Sequence, residues 1–382
     1  MEQEFTTSIY WKIAYIAGSI AIAGFVIFIS FFKVPNPNSN VLFAPLIFVI
    51  FAICVIINMI KRKVSISDYS IIKSSIWGVK EIPNEDVKGF KIGDKAIYIK
   101  SISGNARISI RDYTTIENVS ELVKCLNERY TNLDEVEYKA ELGEILQDQN
   151  LGISEEERKQ SLNKARQMSM AYNVGGFLLF FLSLLIFKYN PIVDFIVLIY
   201  PLAGVLIMIL SKGLIKLISK KNSAYYHIFI GMYMAVIVTL IKTIVDYNVY
   251  QYSNLWVTVL ACSVILILVF YVISIKKSTN MVAGQFIMAI IISFCYSYGS
   301  ILKINCTFDK SPSQLYTPVI IDKHITHGKK DSYYLKLNQW AARPVHDTEV
   351  GYDLYYRTNI GQHVDVYLRK GFLNIPWFTI SD

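Results

Sequence analysis

The sequence predicts a multi-pass α-helical membrane protein with about seven transmembrane helices, an inserted α+β domain and a small all-β domain at the C-terminus. Three observations predict it. Of the 382 residues 53% are hydrophobic and 14% aromatic, with mean hydropathy +0.37, which is too apolar for a soluble globular chain. Two apolar runs near the N-terminus and five more between Ala171 and Leu302 are long enough to cross a hydrocarbon core of about 30 Å. Lys and Arg gather at alternate ends of these runs, as the positive-inside rule requires. The expected order is a two-helix hairpin (1–60), a cytoplasmic α+β domain (61–132), a charged helical linker (133–170), a five-helix block (171–302) and an extracytoplasmic β domain (303–382).

The first run, Ile9 to Phe32, reads as a retained helix. It exceeds a signal-peptide core, Glu2 and Glu4 precede it, and no A-x-A-like site follows. Lys33 to Asn40, with Pro35 and Pro37, ends it, because proline lacks the amide donor and restricts the residue before it. The second run, Val41 to Ile60, stops at Lys61, Arg62 and Lys63, so this end and the N-terminus belong in the cytoplasm. From Val64 to Tyr130 the period changes to alternation. Short strands are predicted at Val64 to Ile66, Ile71 to Ser74, Val79 to Ile82, Val87 to Ile92, Ala96 to Lys100 and Arg107 to Ile110, with Ser103, Gly104 and Asn105 as one of the turns. Ile116, Val119, Leu122, Val123 and Leu126 then form one apolar helical stripe, fit to plug the open end of a small curved sheet.

The two preceding helices, the stretch Lys80-Glu81-Ile82-Pro83-Asn84-Glu85-Asp86-Val87-Lys88-Gly89-Phe90 and the closing helix together resemble the bacterial PH-like domains that follow a pair of membrane helices. The stretch is similar to that family's I-P-x-x-D-I strand and turn, with Val87 in the last place. The resemblance implies a PH-like domain over 61–132 in a bacterial cytoplasmic-membrane protein. In eukaryotic relatives of the fold a basic first hairpin can hold phosphoinositide headgroups. Here that turn reads Ser67, Asp68, Tyr69, Ser70 and lacks the charge-assisted donors that phosphate capture relies on, so a protein-interaction or structural role is expected.

The linker, Leu133 to Met170, contains a turn at Asn150 and Gly152, a capping box from Ser154 to Glu157, and a helix pair of Glu155 with Lys159. Five spans follow: Tyr172 to Phe187, Ile192 to Leu210, Tyr225 to Val245, Leu255 to Ile275 and Met281 to Leu302. Breaks predicted inside carry Lys212, Lys216, Lys220 and Lys221, then Lys276 and Lys277. Those predicted outside carry Lys188, Asn190 and Pro191, then the lysine-free stretch Asp246 to Asn254. The N-terminus is therefore inside and the C-terminus outside, and Tyr189, Tyr247, Tyr250, Tyr252 and Trp256 fall where an outer aromatic belt belongs.

Ionisable residues within apolar runs are functional candidates, since burying their charge costs several kcal/mol. Asp194, His227, Lys242 and Asp246 qualify, each about one turn from a run's end. Asp194, Lys242 and Asp246 share the outer side, and Lys242 and Asp246 share a helix face, so an ion cluster that braces or gates the block is expected there.

The C-terminal segment predicts strands at Tyr316 to Ile321, Tyr333 to Leu337, Val350 to Tyr355, Val364 to Leu368 and Ile375 to Ile380. Its stretch from Gly361 to Gly371 and on through Ile375-Pro376-Trp377 resembles the C-terminal segment of uncharacterised bacterial multi-pass membrane proteins, which implies no activity. His324, His327, His346 and His363 lie here, with Asp322, Asp347 and Asp365 as conceivable carboxylate ligands. Residues three apart on a strand point to opposite faces, which argues against His324 and His327 sharing an ion.

No residue is assigned a catalytic, cofactor-binding or metal-binding role. There is no nucleophile elbow and no glycine-rich phosphate loop. Cys54, Cys125, Cys262, Cys295 and Cys306 form no CxxC and predict no disulfide framework. The formal charge of +8 sits at the ends of apolar runs and needs no nucleic acid. The expected role is a non-enzymatic scaffold or signal coupler, with the bilayer and proteins as partners and no identified small-molecule ligand. The alternatives are a transporter or channel built on the five-helix block, or a membrane enzyme acting on lipid or envelope substrates.

Overall fold

The computed structural model of the chain describes residues 2–32, 39–104, 107–186, 190–275, 283–328 and 331–381. Lys33, Pro35, Pro37, Asn105, Lys188, Tyr189, Lys276, Lys277 and Met281 lie outside the described residues. The chain divides into two units, Met1–Glu144 with Lys220–Ala224, and Ile145–Ser219 with Tyr225–Asp382.

The N-terminal unit begins with a strand that the alternation does not reveal. β1 (Gln3–Thr6) precedes α1 (Ile9–Phe32) and α2 (Ser39–Lys61), yet it pairs antiparallel with β2 (Lys63–Ile66), Thr6 opposite Lys63 and Phe5 opposite Val64. Glu4 and Lys63 add an ion pair at 2.6 Å. The helical hairpin is therefore an insertion between neighbouring strands, and both its ends emerge beside the same sheet. β3 (Ser70–Ser75) and β4 (Gly78–Pro83) complete four strands in the order β1-β2-β3-β4, and β5 (Val87–Ile92), β6 (Ala96–Ser101) and β7 (Arg107–Arg111) form a second meander.

Alternation puts Ile66, Ile71 and Ile82 of the first sheet, and Phe90, Ile99 and Ile108 of the second, wholly inside. Each such side chain is worth about 1.5–3 kcal/mol relative to exposure. α3 (Val119–Arg129) lays Leu122, Cys125 and Leu126 on this core. Gly89 has φ +146°, and a Cβ there would stand 2.4 Å from the Thr131 carbonyl oxygen, which accepts the Phe90 N–H at 3.0 Å; only glycine lets the chain after α3 approach so closely. α4 (Leu133–Gln147) follows. Residues 220–224 belong to this unit through Lys221, 2.8 Å from Asp94, and through Glu141, which accepts the Ser223 hydroxyl at 2.6 Å and the Ala224 N–H at 2.9 Å.

In the second unit, α5 (Glu155–Phe181) joins the predicted linker and the third apolar run in one helix. Its start keeps half of the expected capping box: Ser154 Oγ accepts the Glu157 N–H at 3.1 Å, and the Glu157 carboxylate reaches back past the cap to accept the Ile153 N–H at 2.7 Å. Glu155 pairs with Lys159 at 2.6 Å. α6 (Pro191–Leu210), β8 (Ile215–Lys216), β9 (Tyr226–His227), α7 (Phe229–Asp246), β10 (Asn248–Val249), α8 (Ser253–Phe270) and α9 (Ala283–Thr307) follow. Among the described residues six helices are long and apolar enough to cross a membrane; Pro45–Lys61 of α2 is apolar but shorter. These helices are the build of a membrane-embedded protein.

α7 packs against α5, α6 and α9. Gly176 and Gly231 let α5 and α7 touch backbone to backbone, since a Cβ on Gly176 would lie 2.4 Å from the Gly231 Cα. The Tyr172 hydroxyl donates to the Tyr200 carbonyl at 3.0 Å, and the Tyr200 hydroxyl to the Tyr172 carbonyl at 2.6 Å, locking α5 to α6.

The tail comprises β11 (Gln314–Tyr316), β12 (Ile320–Thr326), β13 (Ser332–Leu337), β14 (His346–Val350), α10 (Tyr352–Arg357), β15 (Asp365–Arg369) and β16 (Trp377–Ser381). Two expectations change. Tyr316 to Ile321 is broken between β11 and β12, where Pro318 offers no amide donor. Val350 to Tyr355 becomes the end of β14 and then a helix, with Asp353 in its first turn and Arg357 in its last, both favoured by the helix dipole. The sheet order β10-β16-β15-β11 weaves the tail into the α7–α8 connection. Tyr247 stacks edge-on against Trp377 at 5.7 Å and Tyr250 packs on Trp340 at 5.5 Å, so these two aromatics dock the tail, whereas Tyr252 and Trp256 stay exposed.

Two polar residues fasten the tail to the end of α9. Asn305 Oδ1 accepts the Leu373 N–H and its amide donates to the Ile375 carbonyl, both at 2.9 Å. Asp309 accepts the Trp377 indole N–H at 2.8 Å and the Gly371 N–H at 2.9 Å. Burial pushes the Asp309 carboxyl up, but the donors Ser311, Trp377 and Gly371 outweigh it and hold it below the usual carboxylate range. A carboxyl depressed in the fold adds stability that is present above its ordinary value of about 3.9 and lost as pH falls through the lower folded value. Asp309→Ala is expected to loosen the tail by about 1–3 kcal/mol at neutral pH, with the deficit shrinking on acidification through that window. Tryptophan emission followed during denaturation at several pH values checks this.

Candidate functional site

A concentration of positive charge lies in the N-terminal unit. Arg62 follows the last residue of α2, Lys73 is on β3, Lys80 on β4, and Arg107 and Arg111 on β7; all five line one cavity of 710 Å³. Asp112 is the one carboxylate among its described lining residues. The alternation that buries Ile108 and Ile110 turns Arg107, Ser109 and Arg111 to the other face of β7. Lys73 and Lys80 are direct cross-strand partners, an arrangement that destabilises a sheet by itself. The Lys73 ammonium donates to the Ser109 carbonyl at 2.6 Å, and the Arg107 guanidinium lies 4.2 Å over the Tyr98 ring. Arg62 donates to the carbonyls of Arg111 and of Asp112, the latter at 3.3 Å, which ties the end of α2 to β7.

Burial, followed by the charges of Arg62, Arg111 and Lys80, lowers the Lys73 pKa. Burial likewise lowers that of Arg62, partly offset by Asp112 and Tyr15. A half-buried ammonium with cations as its charged neighbours, as Lys73 is, would be relieved by an anion. At the mouth, the turn between β3 and β4 carries Trp77, 94% exposed. Asn58, inside α2, lines the same cavity, so it opens where that helix ends.

The sequence reading sought basic residues at Ser67 to Ser70, and the structure supplies them elsewhere. At that turn Arg129 bonds the Ser67 carbonyl at 3.0 Å and is matched by Asp68 at 3.1 Å. The signal that could have pointed to the cavity is Arg107-Ile108-Ser109-Ile110-Arg111, a strand with one apolar and one basic face, which the sequence reading took only as a strand.

In the helical block, the charges of Asp194, Lys242 and Asp246 come together differently from their spacing. Lys242 turns from Asp246 to Asp194, Nζ to Oδ1 at 2.5 Å, and Lys303, which the sequence reading did not single out, donates to Asp194 Oδ2 at 2.7 Å. The three side chains are 8%, 13% and 15% exposed for Lys242, Asp194 and Lys303. Asn190 caps α6 by accepting the N–H groups of Ile192 and Val193, Pro191 opens the helix, and Asp194 sits in its first turn where the dipole favours an anion. Lys242 and Lys303 lie near the C-terminal ends of α7 and α9, where cations are favoured. One carboxylate thus bolts three helix ends together.

His227 is partly buried beside α7, burial lowers its pKa, and its carbonyl accepts bonds from Ser169 and Asn173. The tail histidines are dispersed. His324 stacks on Tyr334 and is 3.8 Å from Asp347, His327 is 3.0 Å from Asp331, and His346 and His363 donate to the carbonyls of Pro344 and Thr317. Asp322 and Asp365 accept bonds from the Lys323 N–H and the Tyr367 hydroxyl. Among the described residues no group of three or more His, Cys, Asp or Glu could hold a metal ion.

No protein-family model, no curated protein and no solved structure matches the chain.

Replacing Asp194 by Asn leaves two ammonium groups buried together and is expected to cost about 3–5 kcal/mol. Lys242→Met leaves Asp194 paired with Lys303 and is expected to cost less. Thermal denaturation of both variants in the same detergent decides the order; equal losses would contradict the shared clamp.

Proposed function

We propose that the chain is a non-enzymatic signal coupler of a bacterial cytoplasmic membrane, whose PH-like domain takes a phosphate-bearing anion into its basic cavity. The observation that carries this reading is the gathering of five cations around one carboxylate residue where α2 ends. An anion reaching that cavity is either a lipid headgroup at the bilayer surface or free phosphate, and both present the charge-assisted acceptors that Arg and Lys bind. Trp77 at the rim has the amphipathic ring that suits the interface. The PH-like assignment is supported by the four-stranded and three-stranded meanders followed by α3. Coupling is supported by the α6–α7 connection, whose residues 220–224 bond Asp94 and Glu141 of the same unit as the cavity.

The reading includes seven spans, counting α2, with the N-terminus and the PH-like domain in the cytoplasm and the β tail outside, available to a protein partner. Both ends of the α1–α2 hairpin returning to one sheet favour it. So does the meeting of the start of α6 with the ends of α7 and α9.

Titration of the purified full chain with inorganic phosphate, and its flotation with phosphatidylglycerol or phosphatidylcholine vesicles after removal of detergent into nanodiscs, test the cavity. Lys80→Ala with Arg111→Ala is expected to weaken anion binding about 10–100-fold, and affinity is expected to fall steeply with salt. Binding that ignores both changes would sink the reading. For the topology, Lys370→Cys in a Cys54→Ser background is expected to react with an impermeant maleimide in spheroplasts; protection until the membrane is dissolved would put the tail inside. Cys306 is unsuitable for this purpose because it is buried under the tail.

A further inference from the structure

The first sheet has a near end and a far end relative to the helical hairpin. Lys63 opens β2 two residues after α2 ends, and the ladder pairs it with Thr6 on one side and Ser74 on the other. The turn from β3 to β4 therefore stands at the near end. It is pinned there, because Asn58 Oδ1, three residues before the end of α2, accepts the Ile76 N–H at 3.3 Å. Trp77, the next residue, is thus held beside a level of α2 about 4.5 Å short of its last residue. Tyr69 marks the far end: it is 85% exposed but precedes Ser70, about 17 Å from Ser75 by strand rise.

The hairpin carries the residues of a membrane interface at the near end. α1, long and apolar enough to cross, begins with the exposed Tyr10 and Trp11 and with Lys12, and α2 ends at Lys61. Trp77 adds to this belt from the sheet, with the exposed Val79 two residues on. An indole is best placed where one side is apolar and the other wet, which is what the level of a helix end supplies.

The cavity's cations open towards that level. Arg111 is joined through its carbonyl to Arg62 at the foot of α2, and Lys80 lies two residues past Gly78 of the turn. Among the described residues neither the Lys80 nor the Arg111 side chain donates to a protein acceptor, whereas Arg62 and Lys73 are committed to carbonyls. A charged surface then separates the two sources of phosphate. At a leaflet potential of about −30 mV a dissolved dianion is depleted about tenfold, while the phosphates of the leaflet are fixed in front of the mouth.

Given that the cavity is an anion site, as proposed above, we infer that its mouth lies in the headgroup layer with Trp77 as its anchor, and that Lys80 and Arg111 hold the phosphate of an anionic phospholipid whose chains stay in the bilayer. The source is the leaflet and not dissolved phosphate.

p-Benzoylphenylalanine placed at Trp77 or at Tyr69 of the full chain, irradiated in nanodiscs of phosphatidylglycerol and phosphatidylcholine in equal amounts, reports which turn meets lipid. Lipid adducts are expected at position 77 and not at 69; adducts at neither, or equally at both, would overturn the placement. Released from the same nanodiscs for native mass spectrometry, the unaltered chain is expected to retain phosphatidylglycerol about tenfold over phosphatidylcholine, the effect of about 1.4 kcal/mol. Lys80→Ala with Arg111→Ala is expected to abolish that preference, and a preference surviving both changes would overturn the assignment. No preference in a chain that still binds inorganic phosphate through Lys80 and Arg111 would overturn the leaflet source and leave the anion site standing. A chain that binds neither the lipid nor inorganic phosphate would remove the anion site itself, and the leaflet source with it.

Discussion

A membrane interior offers a buried charge no water, so every ionised side chain there must find its partner in the protein. Asp194 meets that constraint for two lysines at once, and the arrangement fixes more than three side chains. It sets the start of α6 level with the ends of α7 and α9, so the three helices cannot slide past one another without exposing an ammonium to hydrocarbon. The dipoles of all three helices favour the charges they carry at these ends. Immediately beyond, Asn305 and Asp309 continue α9 into the tail, so the same end of the bundle carries both the clamp and the anchorage of the β sheets. The aromatic residues Tyr247 and Tyr250 fill the space between.

A different constraint organises the N-terminal unit. Pairing of β1 with β2 requires the chain to leave the sheet, traverse α1 and α2, and return to the adjacent strand. Gln3–Thr6 and Lys63 are thereby held together, and Arg62, next to that junction, reaches β7 and the residue after it through two carbonyls. The basic cavity inherits its position from this closure: it lies at the foot of α2 because the strand pairing brings the helix end there.

Much of this was legible in the sequence where one local period dominates. The alternating strands from Val87 to Ile92 and Arg107 to Ile110, the helical stripe at Leu122 and Leu126, and the Ser154 helix cap are local signals, and each is found in place. What was not legible depends on distant pairing. β1 has only four residues and owes its existence to β2, some sixty residues on. Lys242 and Asp246 look like partners because they are four apart, yet Asp194 wins the ammonium because tertiary packing brings α6 alongside α7. Lys303 drew no attention at the end of its run, and becomes informative only when α9 is seen to end beside Asp194. The cavity's cations are spread from Arg62 to Arg111, so no window of sequence contains them all.

The two sites also differ in what folding alone explains. In the Asp194 clamp every charge has a partner, so the fold gains cohesion from it and a ligand is not needed to account for the lysines. The basic cavity is the opposite case. Lys73 faces Lys80 across a strand pair, their neighbours Arg62 and Arg111 depress Lys73 further, and exchanging Lys80 for a neutral residue would relieve the sheet. A local conflict of this kind, set over a core of isoleucines that is otherwise consistent, is characteristic of positions kept for something other than stability. On the proposed reading the repulsion between Lys73 and Lys80 would become an asset, because a phosphate in the cavity would be held by the same cations that oppose one another without it.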